Sequence, residues 1–274
     1  MKLRGAAVLI TGASSGIGEA TAIAFARKRA RLALCARRVD RLQEVAERCR
    51  EAGAPMVTIR RADVSRRAEA RAFVAAALRD LDRVDVLVNN AGSGWTGRLH
   101  EMPEEDVLRL INTNVLGLIW ATQAALPPML AQHAGVIVNV GSTAGVRPLP
   151  YSAAYAATKF AVTGFGHSLR GELSGSGVKV VTLYPYITRT EFGEVSNSEN
   201  VGPAYSAEFV AASIVRAARF PRRDVMHFPG RLAHIFEPFL GGPIDHLIGE
   251  IRRSQQPDLS GPGDLPEHVS EIPE

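Results

Sequence analysis

Tyr155 and Lys159 are the pair of side chains in this sequence best suited to acid–base chemistry. They lie four residues apart in a stretch with helical character. Residues at that spacing share one face of a helix, so the phenol and the ammonium can meet. A neighbouring positive charge stabilises phenolate and lowers the pKa of tyrosine from about 10 toward a working pH. Taken alone, the spacing is more typical of a packed ring beside a solvated amine, so other motifs must decide.

A glycine-rich turn near the amino terminus provides a second signal. It joins an apolar run at 6–10 to an amphipathic stretch. Gly12 permits the turn, Gly16 lets backbone N–H groups approach a pyrophosphate, and Gly18 allows the helix to pack close to the sheet. The spacing Gly-x-x-x-Gly-x-Gly departs from the strict dinucleotide fingerprint, and such a turn alone is a weak signal. The turn is therefore a candidate anion cradle, with a plain strand-to-helix connection as the alternative.

Two arginines follow the second apolar run, where proteins that bind NAD place an acid. Arg37 and Arg38 stand at this position, about 20 residues past the turn, and no carboxylate accompanies them. Guanidinium groups offer several planar donors to a phosphate, so a 2′-phosphate is favoured over a bare hydroxyl. The pattern predicts NADP(H) as the cofactor, with a solvated arginine pair at a helix start as the alternative.

The elements that position these residues alternate between short β-rich runs and amphipathic stretches. This alternation predicts an α/β fold with a doubly wound parallel sheet of seven strands. The strands are expected near 6–10, 31–35, 56–60, 84–88, 136–140, 179–183 and 225–228. The helices are expected near 16–29, 40–52, 66–81, 104–130, 153–173 and 207–219.

A set of motifs along the chain resembles those of the short-chain dehydrogenases/reductases. The matching segments are TGASSGIG at 11–18, Asp63-Val64, NNAG at 89–92, NVLG at 114–117, GSTAG at 141–145 and YAATK at 155–159. Each is common by chance, whereas their order and spacing together are specific. The resemblance covers about residues 5–190. It implies a Rossmann-type fold and hydride transfer between a nicotinamide and a carbonyl or alcohol.

The resemblance also implies roles for individual residues. Tyr155 matches the family's acid/base and Lys159 the residue that activates it and holds the nicotinamide ribose. Ser142 matches the residue that stabilises charge on the substrate oxygen, and Asn114 the residue that keeps a water for proton relay. The seven histidines show no metal-ligand spacing, so no metal site is expected. The expected cofactor-binding residues are Gly12, Ser14, Ser15, Gly16, Ile17, Gly18, Arg37, Arg38, Asp63, Val64, Asn90, Ala91, Gly92, Tyr155, Lys159, Pro185, Ile187, Thr188 and Thr190.

One segment departs from the family pattern. In YPYITRT at 184–190, Tyr186 stands where the family has a glycine. A tyrosine there either points outward with altered loop geometry or narrows the substrate space. The following segment, 189–205, is rich in turn-forming residues and predicts a mobile substrate lid. Candidate residues for an apolar pocket, with core packing as the alternative, are Trp95, Leu149, Tyr151, Phe192 and Tyr205.

Composition narrows the class of protein further. The chain has 274 residues, of which 46% are hydrophobic and 22% charged, which excludes a disordered polymer. Its net charge is +4, yet segment 257–274 has five acids and no Lys or Arg, so the remainder carries +9. That surplus suits phosphate-bearing ligands, while no basic run interleaved with aromatics predicts a nucleic-acid partner. Two cysteines without metal spacing, and a first apolar run too short to span a membrane, predict a cytoplasmic protein.

These observations predict one catalytic domain at 1–228 with an extension at 229–256 and a mobile acidic tail at 257–274. We interpret the amphipathic extension first as a subunit interface of a homo-oligomer, a dimer or a tetramer. A cover over the pocket and a membrane-surface attachment are the alternatives. The expected function is an NADP(H)-dependent oxidoreductase acting on a small-molecule carbonyl or alcohol. Two other functions stay open: an NADPH-binding sensor with weak turnover, and an epimerase or dehydratase that returns the hydride to its substrate.

Overall fold

Seven parallel strands form the central sheet in a computed structural model that describes residues 1–192 and 204–227, together with His246 and Glu250. Strands are numbered in chain order, and β7 and β8 form a separate parallel pair. The predicted sheet of seven strands is confirmed. The strands are β1 (Ala7–Thr11), β2 (Arg31–Ala36), β3 (Met56–Arg61), β4 (Val86–Asn89), β5 (Gly135–Val140), β6 (Val178–Tyr184), β7 (Thr188–Arg189), β8 (Tyr205–Ser206) and β9 (Asp224–Met226).

The strand order places a ligand crevice at the centre of the sheet. The order is β3-β2-β1-β4-β5-β6-β9, so the chain moves outward from β1 to β3 and then returns to place β4 beside β1. At this reversal the connections leave β1 and β4 in opposite directions, and a crevice opens beyond the carboxyl ends of the strands. The predicted doubly wound topology is therefore confirmed.

Helices cover both faces of the sheet. One layer consists of α1, α2 and α7, and the other of α3, α5 and α6, while α4 precedes α5. The helices are α1 (Gly16–Ala26), α2 (Val39–Glu51), α3 (Arg67–Leu81), α4 (Glu104–Leu110), α5 (Gly117–Ala131), α6 (Ala153–Glu172) and α7 (Ala207–Arg219). None of the helices within the described residues is both long and apolar enough to cross a membrane.

The strand residues are buried alternately against the two helical layers. In β1, Val8 and Ile10 pack into the cluster under α1 and α7, whereas Ala7 and Leu9 pack into the cluster under α3 and α5. Because both faces of a parallel sheet are covered, its strands read as continuous apolar runs. This explains why β1 is an unbroken hydrophobic segment in the sequence.

Two local features differ from the predicted elements. The helix expected at 104–130 is interrupted by a π-helical segment, Ile111–Leu116, which separates α4 from α5. Such segments occur frequently at functional sites. In addition, β7 and β8 bracket the centre of the expected lid, whose residues 193–203 lie outside the described part of the chain. The expected extension and tail also lie outside it, apart from His246 and Glu250, which are both exposed.

Candidate active site

A cleft of about 480 Å³ lies at the carboxyl ends of the central strands. Its volume is within the range of small-molecule sites. The lining contains every expected cofactor-binding residue except Gly18, and it also contains Ser142. Asn114 is buried and does not line the cleft. The fold thus gathers into one place residues that are far apart in the sequence.

Tyr155, Lys159 and Ser142 converge on this cleft. Tyr155 lies in the first turn of α6, and Lys159 Nζ is 5.7 Å from the centre of its ring. Lys159 Nζ donates a hydrogen bond to the carbonyl oxygen of Val140 at the end of β5, at 3.2 Å. Ser142 follows β5 and its side chain is hydrogen-bonded to the Tyr155 phenol. The proximity of Tyr155 and Lys159 predicted from their spacing is therefore present, and Ser142 lies beside them as the family resemblance implies.

Burial dominates the electrostatics of this group. Desolvation raises the pKa of Tyr155 to about 12, although the hydrogen bond with Ser142 opposes the rise. Desolvation also lowers the pKa of Lys159 to about 8. The sequence predicts a lower tyrosine pKa from the Lys159 ammonium together with the positive charge of a nicotinamide. In the protein chain alone the pKa is raised instead, because no charge outweighs the loss of water. At neutral pH, Tyr155 is a protonated phenol able to donate, and Lys159 is mostly charged.

Asn114, in the π-helical segment, is hydrogen-bonded to Ser93 and to Thr158 of α6. Its Oδ1 accepts a hydrogen bond from the Ser93 N–H at 2.8 Å. Its Nδ2 donates to the Ser93 carbonyl at 2.9 Å and to Thr158 Oγ1 at 3.0 Å. A Cβ added at Gly92 would lie 3.4 Å from Asn114 Oδ1 and 3.8 Å from Lys159 Nζ. Since the Asn114 carboxamide is already engaged, a water held by this residue would bind its main chain.

The glycine turn packs against the residues that follow β4 and is hydrogen-bonded to them. Gly12 has a left-handed backbone with φ of +65°, and a Cβ there would lie 2.7 Å from the Ala91 Cα. Asn90 Nδ2 donates to the carbonyl oxygens of Thr11 and Gly12 at 3.0 and 2.9 Å. A Cβ on Gly18 would lie 2.1 Å from the Gly12 carbonyl oxygen. Gly18 therefore serves close packing of α1, while the turn itself faces the cleft.

The arginine pair occupies the far end of the cleft. Arg37 is exposed and lines it. Arg38 Nη2 donates to Ser15 Oγ at 2.7 Å and to Glu191 Oε2 at 3.0 Å. The two arginines predicted from the sequence lie together at the cleft. The acid Glu191, which the sequence did not predict there, pairs with Arg38.

The residues of the cleft fit a dinucleotide. The turn places the amino terminus of α1 toward a ligand, which suits a pyrophosphate, and the arginines suit a further phosphate. Ser93 lines the cleft, and its buried hydroxyl oxygen lacks a hydrogen-bond partner in the described chain. The described residues contain no cluster of three or more metal-ligating side chains.

The apolar end of the cleft contains only some of the predicted residues. Trp95, Leu149 and Phe192 line it. Tyr151 and Tyr205 are absent from the lining, and Tyr205 instead stacks on Phe209 with ring centres 4.6 Å apart. The periodicity of apolar residues in a sequence cannot distinguish aromatic side chains of the core from those that line a pocket, since both kinds are apolar.

Tyr186 lines the cleft and is half-buried. Tyr186 therefore lies at the cleft, and the expectation that it narrows the substrate space stays a prediction. The ring of Phe192 lies beside Tyr155, with centres 5.9 Å apart. The apolar end is thus bordered by aromatic side chains close to the phenol.

Comparison with known proteins identifies the family. The sequence profile described as short chain dehydrogenase matches residues 6–201. The chain belongs to this family. The mouse (Mus musculus) protein 17-beta-hydroxysteroid dehydrogenase 13 is 34% identical to this short-chain dehydrogenase over 266 residues, which cover 95% of this chain and 86% of the mouse protein.

Two further relatives agree with this assignment. The Arabidopsis thaliana protein 11-beta-hydroxysteroid dehydrogenase-like 4A is 44% identical over 185 residues, covering 67% of this chain and 61% of the plant protein. This match therefore spans less than two thirds of the plant protein. A solved alcohol dehydrogenase from the archaeon Thermococcus sibiricus, complexed with 5-hydroxy-NADP, has a TM-score of 0.73 and 31% identity. The similarity covers 80% of this chain and 94% of the archaeal chain.

Proposed function

We propose that this short-chain dehydrogenase is an NADP(H)-dependent oxidoreductase that interconverts a carbonyl and an alcohol. The observation that carries the proposal is the convergence of Tyr155, Ser142 and Lys159 on the cleft that the glycine turn also lines. A bound nicotinamide supplies or accepts the hydride. The protein must then position the substrate and manage its proton.

The side chains can manage the proton in the reductive direction. Tyr155 is protonated at neutral pH and donates its proton to the substrate oxygen as that oxygen becomes an alkoxide. The Ser142 hydroxyl donates a hydrogen bond to the same oxygen and stabilises its developing charge. The Lys159 ammonium then stabilises the phenolate left on Tyr155, since a positive charge in a buried site acts strongly on its neighbours. In the oxidative direction the Tyr155 phenolate, stabilised by the Lys159 ammonium, accepts the proton of the substrate alcohol.

The preference for NADP(H) rests on the charge at the far end of the cleft. Arg37 and Arg38 both line it and no acid follows β2 at the usual position for NAD. The solved archaeal alcohol dehydrogenase holds an NADP derivative, which is consistent with this preference. The arginines would bind the 2′-phosphate, and the amino terminus of α1 would bind the pyrophosphate.

The substrate class follows from the apolar end of the cleft. Trp95, Leu149 and Phe192 line this end, and Phe192 also contacts Tyr155. Aromatic and aliphatic side chains of this kind favour an apolar carbonyl over a charged sugar. Several relatives are named hydroxysteroid dehydrogenases. We therefore propose an apolar carbonyl or alcohol, with keto- and hydroxysteroids as the first compounds to assay.

The test is NADPH oxidation, followed as absorbance at about 340 nm, against ketosteroids and aromatic ketones, with NADH in parallel. Tyr155→Phe should lower kcat by about 10² to 10⁴, the usual contribution of a general acid, while NADPH affinity is retained. The substituted ring keeps its packing against Phe192, so a loss of activity reports the hydroxyl. Full turnover by Tyr155→Phe would refute the proposed role.

Tyr186 favours one alternative function. Because Tyr186 lines the cleft at a position where the family has a glycine, an NADPH-binding sensor with weak turnover is the second candidate. Tight NADPH binding without oxidation by any compound in the panel would support the sensor. Product formation without net loss of NADPH would support an epimerase or dehydratase.

Assembly and location are further parts of the proposal. A homo-oligomer, a dimer or a tetramer, is expected from the amphipathic sequence at 229–256, and light scattering of the purified protein tests it. A cytoplasmic location is expected from the two unpaired cysteines, Cys35 and Cys49, both of which are buried. Fractionation of the source cells tests this location.

A further inference from the structure

The segment 190–192 contacts three separate parts of the cleft with three consecutive residues. A Cβ added at Gly16 would lie 3.1 Å from Thr190 Cγ2, so Thr190 lies against the glycine turn. Glu191 pairs with Arg38 at 3.0 Å. Phe192 lies beside the ring of Tyr155. One short strap, defined here as residues 190–192, therefore joins the phosphate end of the cleft to its catalytic end.

Within the strap, the carboxylate of Glu191 accepts a hydrogen bond from a guanidinium nitrogen of Arg38 that a phosphate could also use. Arg38 Nη2 donates to both Ser15 Oγ and Glu191 Oε2, so two polar groups already share this nitrogen. The hydrogen bond from Arg38, together with the charges of Arg38 and Arg41, holds the pKa of Glu191 below its usual range, and the acid is therefore ionised at neutral pH. A carboxylate and a phosphate both seek the same planar guanidinium donors.

We propose that Glu191 is an internal competitor for the cofactor 2′-phosphate, so that binding of the phosphate to Arg38 frees the Glu191 side chain and loosens Phe192, while Thr190 keeps its contact with the glycine turn. This inference rests on the proposed preference for NADP(H). The side chains of Arg38 and Glu191 are 50% and 41% exposed, and a water-accessible ion pair of this kind is weak enough to be displaced. A phosphate carries more charge and more acceptor oxygens than a carboxylate, so it wins the competition.

The competition also connects the cofactor to the substrate end. Phe192 is the next residue after Glu191, and its N–H donates to Thr190 Oγ1 at 3.3 Å. When Glu191 leaves Arg38, the strap loses its ion pair at the phosphate end, and the contact of Phe192 with Tyr155 loosens. A cofactor without the 2′-phosphate cannot displace Glu191 in this way. Glu191 thus couples binding of the 2′-phosphate of NADPH to the position of Phe192 beside Tyr155.

Binding of 2′,5′-ADP and of 5′-AMP to the full chain, measured by calorimetry, tests the competition without turnover. Glu191→Gln should tighten 2′,5′-ADP by about two- to five-fold, the gain expected when an exposed ion pair no longer competes. Binding of 5′-AMP should stay unchanged. Glu44→Gln, which neutralises an exposed acid on α2 outside the cleft, is the matched control and should leave both affinities unchanged.

A double-mutant cycle separates direct competition from a general effect of charge. In an Arg38→Ala background, Glu191→Gln should no longer change 2′,5′-ADP affinity. An equal gain with and without Arg38 would overturn the proposal, since it would show only the removal of a nearby negative charge. Glu191→Asp retains the charge and shortens the reach, so it should resemble Glu191→Gln. An affinity equal to that of the unmodified protein would contradict direct contact.

Hydrogen exchange of the Phe192 N–H, which donates to Thr190 Oγ1, tests the release of this residue. Adding 2′,5′-ADP should speed exchange at Phe192 in the unmodified chain, and Glu191→Gln should show fast exchange before any ligand is added. Slower exchange on adding the ligand would overturn the release. If the unmodified protein binds 2′,5′-ADP no better than 5′-AMP, the proposed cofactor preference itself fails. If it prefers 2′,5′-ADP but Glu191→Gln changes nothing, only the competition fails.

Discussion

The substitution Asn114→Ala tests whether this residue acts mainly as a structural support. It removes the partners of the Ser93 N–H and of the Ser93 carbonyl in a buried environment. Each buried polar group left without a partner costs about 1–3 kcal/mol. Thr158 retains its hydrogen bond to the Tyr155 carbonyl, so its loss adds little. The expected destabilisation is therefore about 3 kcal/mol, a large part of the roughly 5–15 kcal/mol that stabilises a domain.

Thermal unfolding followed by circular dichroism measures this effect. For a chain of this size, 3 kcal/mol corresponds to a fall in Tm of about 6–12 °C. The matched control is Asn112→Ala in the same π-helical segment. Asn112 is half-buried, and its side chain makes no hydrogen bond with the described part of the chain. We expect the control to change stability by no more than about 0.5 kcal/mol.

The outcome distinguishes two roles for Asn114. If its side chain held a catalytic water directly, Asn114→Ala would lose turnover at an unchanged Tm. An unchanged Tm would refute the reasoning from the hydrogen bonds to Ser93. A lowered Tm with turnover retained well below the transition would place any water-holding function on the main chain.

Two further predictions concern the reacting group and the glycine turn. Because burial lowers the pKa of Lys159 to about 8, the ammonium loses its proton as pH rises through that value, so kcat/KM for reduction should fall above about pH 8. Lys159→Arg stays charged throughout, and persistence of this alkaline limb in its residual activity would contradict the assignment. Gly18→Ala should abolish tight NADPH binding and lower Tm, because its Cβ would overlap the Gly12 carbonyl. Gly164→Ala, in an open position of α6, should raise stability by about 0.5–1 kcal/mol, and equal effects at both glycines would contradict the packing argument.

The parts of the fold that were readable in the sequence are those with strong local signals. The strand β1 is buried on both faces, and the turn after it contains glycines in left-handed conformations. These signals are visible within a few residues. The ordered motifs placed Ser142, Tyr155 and Lys159 in one site, which the structure brings together.

The features that were missed depend on contacts between distant parts of the chain. Glu191 meets Arg38 across 153 positions of sequence, and no local pattern reports that distance. The raised pKa of Tyr155 likewise comes from burial that only the folded protein creates. The π-helical segment carries an ordinary helical sequence, and its wider turn accompanies the hydrogen bonds between Asn114 and Ser93. Tertiary structure therefore decided each of these features.

The pairing of β7 with β8 has a consequence for how substrate range can change in this scaffold. The chain leaves the catalytic region at Thr188–Arg189 and returns beside it at Tyr205–Ser206, and the Tyr205 N–H donates to the Ile187 carbonyl at 2.9 Å. The two anchor points are thus fixed to each other. An exchange of the intervening sequence for one of another length need not move α6 or the phosphate-binding turn, because the closure is already made. Chimeras that take the sequence between β7 and β8 from related enzymes should therefore acquire new substrate preferences, while α6 and the phosphate-binding turn keep their positions.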